Sequence, residues 1–387
     1  MIKPDYEQGS IVNLMASISQ ALGSTKRLYN PLDNVAPNSL AQSDNIILIV
    51  IDGLGFEFIQ KYDKDSFLAQ HIQQSLTSVF PSTTATAITA FATGVPAQQH
   101  AITGWHVYFK EINQVLAVLP FVERGDSKNS YSYQDMQSLL NIPEPIMNCG
   151  DREKYVVSPR YIVDSLYSRY IHGMATRLGY EKLDQCFNKI TDICSVSKNK
   201  KYIYAYWPEF DSTCHQYGVD HAETFKLFKY LDKQFEALCK SLENNNYSLM
   251  LTADHGLINS GEENTIVLND YPEILDCLEQ PLCGEPRAAF CYVKPGKLNK
   301  FRSLIVDQLG QFCNIYETQE LIDTNTFGLF DENENLKSRA GDFVLIMKEH
   351  YAIQSYLEGE REFMQTAVHG GFSSEEMLVP LVKLDNL

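Results

Sequence analysis

The sequence predicts an α/β fold in which a mostly parallel central sheet is sandwiched by helices and carries small inserted cap subdomains. Two continuous apolar runs, residues 46–51 (IILIVI) and 202–207 (YIYAYW), are typical of parallel strands covered on both faces. Between Phe225 and Leu242, apolar residues recur at spacings of three and four, which indicates an amphipathic helix after the second run. Strands that alternate with helices in this way favour an open parallel sheet.

The other elements are predicted in chain order. A stretch rich in Pro, Asn and Ser, 30–43, separates an N-terminal helical extension, 1–43, from the main domain, 44–387. Within that domain, Gly53 and Gly55 turn the chain from the first strand into a helix. The sequence then predicts a weaker strand at 75–80, an Ala- and Thr-rich helix ending at Thr93-Gly94, and a further strand at 247–252.

Two regions depart from the simple alternation of strands and helices. Residues 105–121 alternate like a hairpin, and the strand pattern of 288–293 is followed by a helical pattern at 300–309. We therefore predict insertions near 105–200 and 262–340. Insertions at the loop ends of an α/β sheet usually shape its ligand pocket.

Composition excludes several classes of function. The 387 residues contain 32 Lys plus Arg against 49 Asp plus Glu, a net charge of −17 that repels polyanions such as nucleic-acid polymers. Bound cations can reverse such a field locally, so small phosphates remain candidate substrates. Nine cysteines without a C-x-x-C pair indicate a reducing compartment. With no signal-peptide pattern and no bilayer-spanning apolar run, we expect a cytoplasmic protein, with unconventional export as the alternative.

Carboxylates follow three separate predicted strands. Asp52 ends the first, Asp211 follows the second after a short loop, and Asp254-His255 ends the third. Ligands of open α/β sheets bind at the carboxyl ends of the strands. A single Asp at such a position is more often a helix cap. Three at once, two of them accompanied by histidine, favour a ligand site.

Two further imidazoles extend this set. His215 lies four residues after Asp211, a spacing that one helical turn or a tight loop would place on one face for a shared cation. His369 stands in His369-Gly370-Gly371. A hydroxyl-rich segment, 81–87 (PSTTATA), lies between a strand and a helix, where the positive helix end attracts phosphate. Alone, this segment would be read as an ordinary N-cap.

Together these motifs resemble the alkaline phosphatase superfamily, and within it the type I phosphodiesterase/nucleotide pyrophosphatase family, over about 44–380. The resemblance implies a nucleophile at Thr84, which stands three residues after the Pro of P-S-x-T and nine before the Thr of the closing T-G. It also implies two divalent metal ions, with zinc as the expected identity. The implied ligands are Asp52, Thr84, Asp254 and His255 for one ion, and Asp211, His215 and His369 for the other.

Two departures from the family pattern affect the expected substrate. Ala85 replaces the aromatic residue that the family's nucleotide pyrophosphatases tend to place after the nucleophile, and no Asn follows the HAI stretch. Trp105, His106 or Arg287 could supply stacking or a phosphate contact instead, although packing or a surface ion pair is the alternative interpretation of each. The resemblance implies hydrolysis of a small phosphate diester or pyrophosphate through a phospho-threonine intermediate.

Three alternatives stay open on the sequence: a phosphomonoesterase on the same metal site, a sulfatase, and an inert binding protein that keeps the fold. The sulfatase is disfavoured because the Cys-x-Pro-x-Arg context is absent from the sequence. Retention of all seven candidate ligand positions argues against the inert protein. The sequence does not determine the oligomeric state.

Overall fold

The computed structural model describes residues 1–25 and 28–386, without the side chains of 127–130. The strands in this part of the chain are β1 (Asn45–Ile51), β2 (Ile72–Thr77), β3 (His106–Phe109), β4 (Gln114–Ala117), β5 (Val122–Glu123), β6 (Asp126–Ser130), β7 (Glu153–Pro159), β8 (Thr176–Tyr180), β9 (Lys201–Trp207), β10 (Tyr247–Thr252), β11 (Ile258–Asn259), β12 (Thr265–Val267), β13 (Cys283–Glu285), β14 (Ala288–Cys291), β15 (Cys313–Glu317), β16 (Phe343–Met347), β17 (Ala352–Gln354), β18 (Ala367–Val368) and β19 (Leu378–Asn386).

The helices in the same residues are α1 (Ile11–Ala21), α2 (Pro37–Gln42), α3 (Phe56–Tyr62), α4 (Phe67–Gln70), α5 (Thr84–Thr93), α6 (Ala97–His100), α7 (Tyr133–Leu140), α8 (Leu166–His172), α9 (Leu183–Val196), α10 (Glu209–Tyr217), α11 (Ala222–Ser241), α12 (Pro272–Leu275), α13 (Leu298–Leu304), α14 (Thr318–Asp323), α15 (Leu336–Ala340) and α16 (Ser374–Met377). A π-helical turn, Ile305–Leu309, continues α13. No helix within 1–25 and 28–386 is both long enough and apolar enough to cross a membrane.

The central sheet has the strand order β2-β19-β10-β1-β9-β7-β8. Strands β10, β1, β9, β7 and β8 run parallel, and β19 is antiparallel to both of its neighbours. The prediction of a mostly parallel sheet flanked by helices is therefore confirmed. Ile51 lies opposite Trp207, and Val50 lies opposite Thr252, so the three strands that precede the candidate ligands end at one edge.

A second, antiparallel sheet has the order β15-β16-β14-β13-β3-β4-β5-β6, and its residues line one cavity together with that edge. The two predicted insertions meet in this sheet through the pairing of Gly284 with His106. Strands β7 and β8 fall within the range predicted as the first insertion, near 105–200, and belong to the central sheet. Charged residues interrupt both strands, so neither has the apolar run that marks β1.

The N-terminal segment packs against the rest of the chain. Helix α1 is buried along almost its whole length and shares one apolar core with the central sheet. The backbone N–H of Ile2 donates to the carbonyl of Phe372 at 2.7 Å. The Phe80 N–H donates to the Tyr6 hydroxyl at 3.1 Å. The N-terminal segment therefore contacts the segments on either side of the candidate site.

Candidate active site

Two carboxylates lie where β1 and β10 end. Asp52 and Asp254 are both buried, and the Nε2 atom of His255 lies 3.4 Å from Asp52 Oδ1 and 3.5 Å from Asp254 Oδ2. The other Asp254 oxygen, Oδ1, accepts hydrogen bonds from the backbone N–H groups of Gly53 and His255, each at 3.0 Å. These bonds fix the Asp254 carboxylate and leave Oδ2 directed to the site.

Gly53 is required at this turn. Its φ is +75°, and a Cβ atom there would lie 2.6 Å from Leu257 Cδ1 and 3.0 Å from the Cα of Asp211. Only glycine adopts this left-handed conformation while another backbone approaches so closely. The turn after β1 and the start of α10 are thereby brought together.

The D-x-x-x-H spacing is helical. Asp211 lies in the first turn of α10, and His215 follows one turn later, with 3.2 Å between Asp211 Oδ2 and His215 Nε2. The carbonyl of Ala367 accepts from His215 Nδ1 at 2.7 Å, which orients the ring. A backbone carbonyl on one ring nitrogen leaves the other nitrogen as the ligand atom.

His369 completes the second group from the C-terminal part of the chain. Its Nε2 lies 3.9 Å from Asp211 Oδ1, and its Nδ1 lies 3.2 Å from the Ser82 carbonyl. The ring of His369 stacks on that of His255, with 3.8 Å between the ring centroids. Asp211, His255 and His369 therefore form one candidate metal group, and Asp52, Asp254 and His255 form another.

Thr84 occupies the first position of α5, directly after the N-cap residue Thr83. Its Oγ1 lies 3.2 Å from His255 Nε2 and 3.5 Å from Asp52 Oδ1. The threonine hydroxyl therefore reaches the candidate metal group of Asp52, Asp254 and His255 from the positive end of a helix, an environment that favours an anion.

The site is electrostatically crowded. Burial, together with the charges of Asp254 and Asp211, raises the pKa of Asp52 well above its usual range. Burial opposes ionisation of Asp211 as well, but the charges of His215, His369 and His255 outweigh it and hold the pKa of Asp211 below its usual range. Carboxylates gathered in a buried site repel one another, and a bound cation relieves that repulsion.

The residues present fit metal ions. Asp211 Oδ1 and Asp254 Oδ2 are buried without a hydrogen-bond partner. The ligand atoms of each candidate group lie within 4.8 Å of one another. Mixed carboxylate and imidazole donors are the set that zinc and similar divalent ions accept. A cation shared by these residues would satisfy the unpartnered buried oxygens.

A cavity of about 770 Å³ opens over this site and is lined by Asp52, Thr84, Asp211, His215 and His369. His106, the first residue of β3 in the second sheet, and Trp105, in the turn before it, also line the cavity. Trp105 is 40% exposed, whereas burial lowers the pKa of His106 to about 3. His106 is therefore neutral near pH 7 and can contribute hydrogen bonds to a ligand but no positive charge.

Arg287, interpreted from the sequence as either a phosphate contact or a packing or ion-pair residue, lies outside the cavity lining. Its guanidinium is 2% exposed and pairs with Glu376 through two hydrogen bonds of 3.1 Å, from Nε and NH2. The remaining nitrogen, NH1, donates to the carbonyls of Lys348 and Tyr351. Because Glu376 offers a bidentate acceptor away from the cavity, the Arg287 side chain is fully engaged there.

Tyr206 and Glu285 are among the cavity-lining residues that sequence reasoning missed. The Tyr206 hydroxyl donates to Asp52 Oδ2, although in the sequence Tyr206 was one apolar residue of a strand. Glu285 accepts from the Thr83 hydroxyl and from the Trp105 backbone N–H, each at 2.6 Å. A charged residue between Gly284 and a proline was the only signal for Glu285.

Fold and site together define the class of protein: a phosphoester hydrolase of the alkaline phosphatase superfamily. The model of the type I phosphodiesterase / nucleotide pyrophosphatase family matches residues 46–372, and the chain belongs to that family.

Solved structures of similar fold include murine ectonucleotide pyrophosphatase / phosphodiesterase 5, with 17% identity over 88% of this chain and 87% of that chain and a TM-score of 0.66. An inactive threonine-to-alanine variant of the same murine protein, in complex with AMP, gives 17% identity over 87% of both chains and a TM-score of 0.63. Phosphonoacetate hydrolase from Sinorhizobium meliloti 1021, in complex with phosphonoformate, gives 14% identity over 87% of this chain and 89% of that chain, with a TM-score of 0.60.

Proposed function

We propose that this chain hydrolyses phosphodiester or pyrophosphate bonds at a site for two divalent metal ions, through a covalent intermediate on Thr84. One observation carries the proposal: the Thr84 hydroxyl lies 3.2 Å from His255 Nε2 and 3.5 Å from Asp52 Oδ1, inside the candidate metal group. A hydroxyl is a weak nucleophile unless a base or metal lowers its pKa.

Asp52, Thr84, Asp254 and His255 would hold one ion, and Asp211, His215 and His369 would hold the other. Bound there, the ions would lower the pKa of the threonine hydroxyl and of the attacking water and neutralise charge that develops on the phosphoryl oxygens. Thr84 Oγ1 attacks phosphorus, and the bond between phosphorus and the leaving-group oxygen breaks. Water then attacks the same phosphorus and releases the phosphoryl group from Thr84.

Diesters are the preferred substrates under this proposal. Among the described residues, the lining cations Arg124 and Arg361 lie on segments other than the one that carries Thr84. Arg124 is already engaged with Glu360, at 3.1 Å. A monoester brings a second negative charge, and within 1–25 and 28–386 no arginine or lysine next to the nucleophile is recorded to meet it.

A nucleotide is one substrate of this class, since a structural relative is known in complex with AMP. Selectivity among nucleobases is expected to be weak, because Ala85 is buried and has no ring to stack on a base. Trp105 is one of the exposed aromatic residues of the cavity lining, with Tyr161 and Phe363, and its ring could replace the missing one. Stacking contributes about 1–3 kcal/mol per base, so Trp105→Ala should lower nucleotide efficiency by at least about fivefold if this ring stacks.

The test compares an aryl phosphodiester with an aryl monoester of the same leaving group, with and without added zinc. The zinc-loaded parent should prefer the diester, and elemental analysis should find about two metal ions per chain. Thr84→Ala should abolish turnover, and a quenched reaction of the parent should leave a phosphoryl group on the peptide that contains Thr84.

Thr83→Ala and Thr86→Ala are matched controls from the same helix start. Both should remain active, because neither hydroxyl contacts the candidate metal group in the described hydrogen bonds. Loss of turnover in Thr86→Ala with an active Thr84→Ala would refute the assignment of the nucleophile. A parent that prefers the monoester would be a phosphomonoesterase, and less than one metal ion per chain would refute the two-metal site.

A further inference from the structure

A buried carboxylate without a role in the proposed reaction lies beside the nucleophile. Glu285, the last residue of β13, is 8% exposed and lines the cavity together with Thr84, His215 and His369. Both of its recorded hydrogen bonds come from neutral donors, the Thr83 hydroxyl and the Trp105 N–H. No lysine or arginine within 1–25 and 28–386 forms an ion pair with it.

The hydrogen bond from Thr83 is unusual for a residue at the N-cap of a helix. An N-cap threonine ordinarily accepts from an amide of the first turn, but the Thr83 side chain makes no such bond and donates to Glu285 instead. The carboxylate is thereby held against the helix start from which Thr84 points into the site. Both neutral donors stabilise its ionised form.

The position of Glu285 has an electrostatic consequence for the substrate. Burial raises the pKa of Glu285 to about 7, against the lowering effects of the two hydrogen bonds and of His255 and His215. His255 belongs to both candidate metal groups and His215 lies 3.2 Å from Asp211, so the carboxylate acts on the same volume that the phosphoryl group would occupy. A negative charge there repels a dianionic phosphate about twice as strongly as a monoanionic one.

We infer that Glu285 determines specificity, by disfavouring phosphate monoesters, which carry two negative charges, relative to diesters, which carry one. The inference rests on the proposed function, since it concerns the substrate of that same site. Glu285 breaks and forms no bond in the reaction; it acts on substrate choice through its charge alone.

Glu285→Gln tests this directly, because glutamine keeps the acceptor oxygen for Thr83 and Trp105 and removes only the charge. At pH 8.5, with zinc, the ratio of kcat/KM for aryl monoester to that for aryl diester should rise about tenfold, equivalent to about 1.4 kcal/mol for one charge–charge interaction. Thr83→Val is the matched control, since it removes the same hydrogen bond and keeps the charge, and its ratio should stay within about twofold of the parent.

A binding measurement separates this inference from the proposed function. Calorimetry on zinc-loaded Thr84→Ala, with and without Glu285→Gln, should show that inorganic phosphate binds about tenfold tighter without the charge, while dimethyl phosphate changes less. If the parent hydrolyses neither ester, the proposed function fails and phosphate affinity alone decides the role of Glu285. A diester-hydrolysing parent whose ratio does not shift, an unchanged phosphate affinity, or an equal shift in Thr83→Val would each overturn the inference.

Discussion

Replacing Arg287 with methionine should destabilise the protein and leave its chemistry intact. The Arg287 guanidinium is buried and makes two 3.1 Å hydrogen bonds to Glu376. Removing one partner of a buried ion pair leaves the other charge uncompensated and costs about 3–5 kcal/mol. For 387 residues, with an unfolding entropy of about 2.1 cal/mol/K per residue, that loss lowers Tm by about 4–6 °C.

The pair also supports the turn that carries His369. Glu376 Oε1 accepts from the Gly371 N–H at 2.7 Å, so an unpaired Glu376 still holds the turn in Arg287→Met. Calorimetric scans and kcat/KM, measured below the transition and per folded molecule, should show a lower Tm with kcat/KM within about threefold of the parent. Arg287→Met/Glu376→Gln should recover part of the lost Tm, because the double variant leaves no buried charge unpaired. An unchanged Tm with a hundredfold loss in kcat/KM would refute this reasoning and make Arg287 a substrate contact.

Three further outcomes are expected. Gly53→Ala should lower the free energy of unfolding by about 1–3 kcal/mol in chemical denaturation, because φ is +75° and the new Cβ would lie 2.6 Å from Leu257; a loss below 0.5 kcal/mol, about the scatter for surface changes, would contradict this. Tyr206→Phe should weaken zinc binding about 10–100-fold in chelator competition, since it frees Asp52 from its orienting hydroxyl; unchanged affinity would exclude that role. In metal-free protein, Glu285→Gln should have the same free energy of unfolding as the parent below pH 4.5. As pH rises to about 7, the variant should become more stable than the parent by up to about 3 kcal/mol, because the folded state raises the pKa of Glu285 and the parent loses stability as this carboxyl ionises. Parallel stability profiles over that range would refute the buried charge.

Much of the central sheet could be predicted from the sequence because burial on both faces imposes continuous apolar runs. Strands β1 and β10 are buried at every residue, and the sequence pattern follows directly from that. Strand β8 is an edge strand with partly exposed residues. Because it contains the polar residues Thr176 and Arg177, its sequence lacks a continuous apolar run and resembles that of a loop. For this reason the sequence pattern did not distinguish β8 from the insertion predicted near 105–200.

In the candidate site, too, the positions of some residues could be predicted from the sequence and those of others could not. The proximity of Asp52 and Asp254 could be predicted from the sequence, because parallel strands end at one sheet edge. Glu285 could not, since its position depends on the pairing of β13 with β3, across nearly 180 residues of chain. The direction of the Arg287 side chain depends on Glu376, and no local pattern reports a partner so distant in sequence.

The dispersal of the candidate ligands along the chain has a consequence for biosynthesis. Asp52 is translated long before His369, which lies shortly before strand β19. During N-to-C synthesis, the ribosome must therefore extend the chain from Asp52 as far as His369 before the set of candidate ligands is complete. Before His369 is synthesised, isolated carboxylates such as Asp52 can hold a cation only weakly, so tight binding of a cation is expected only once this last candidate ligand has joined the fold.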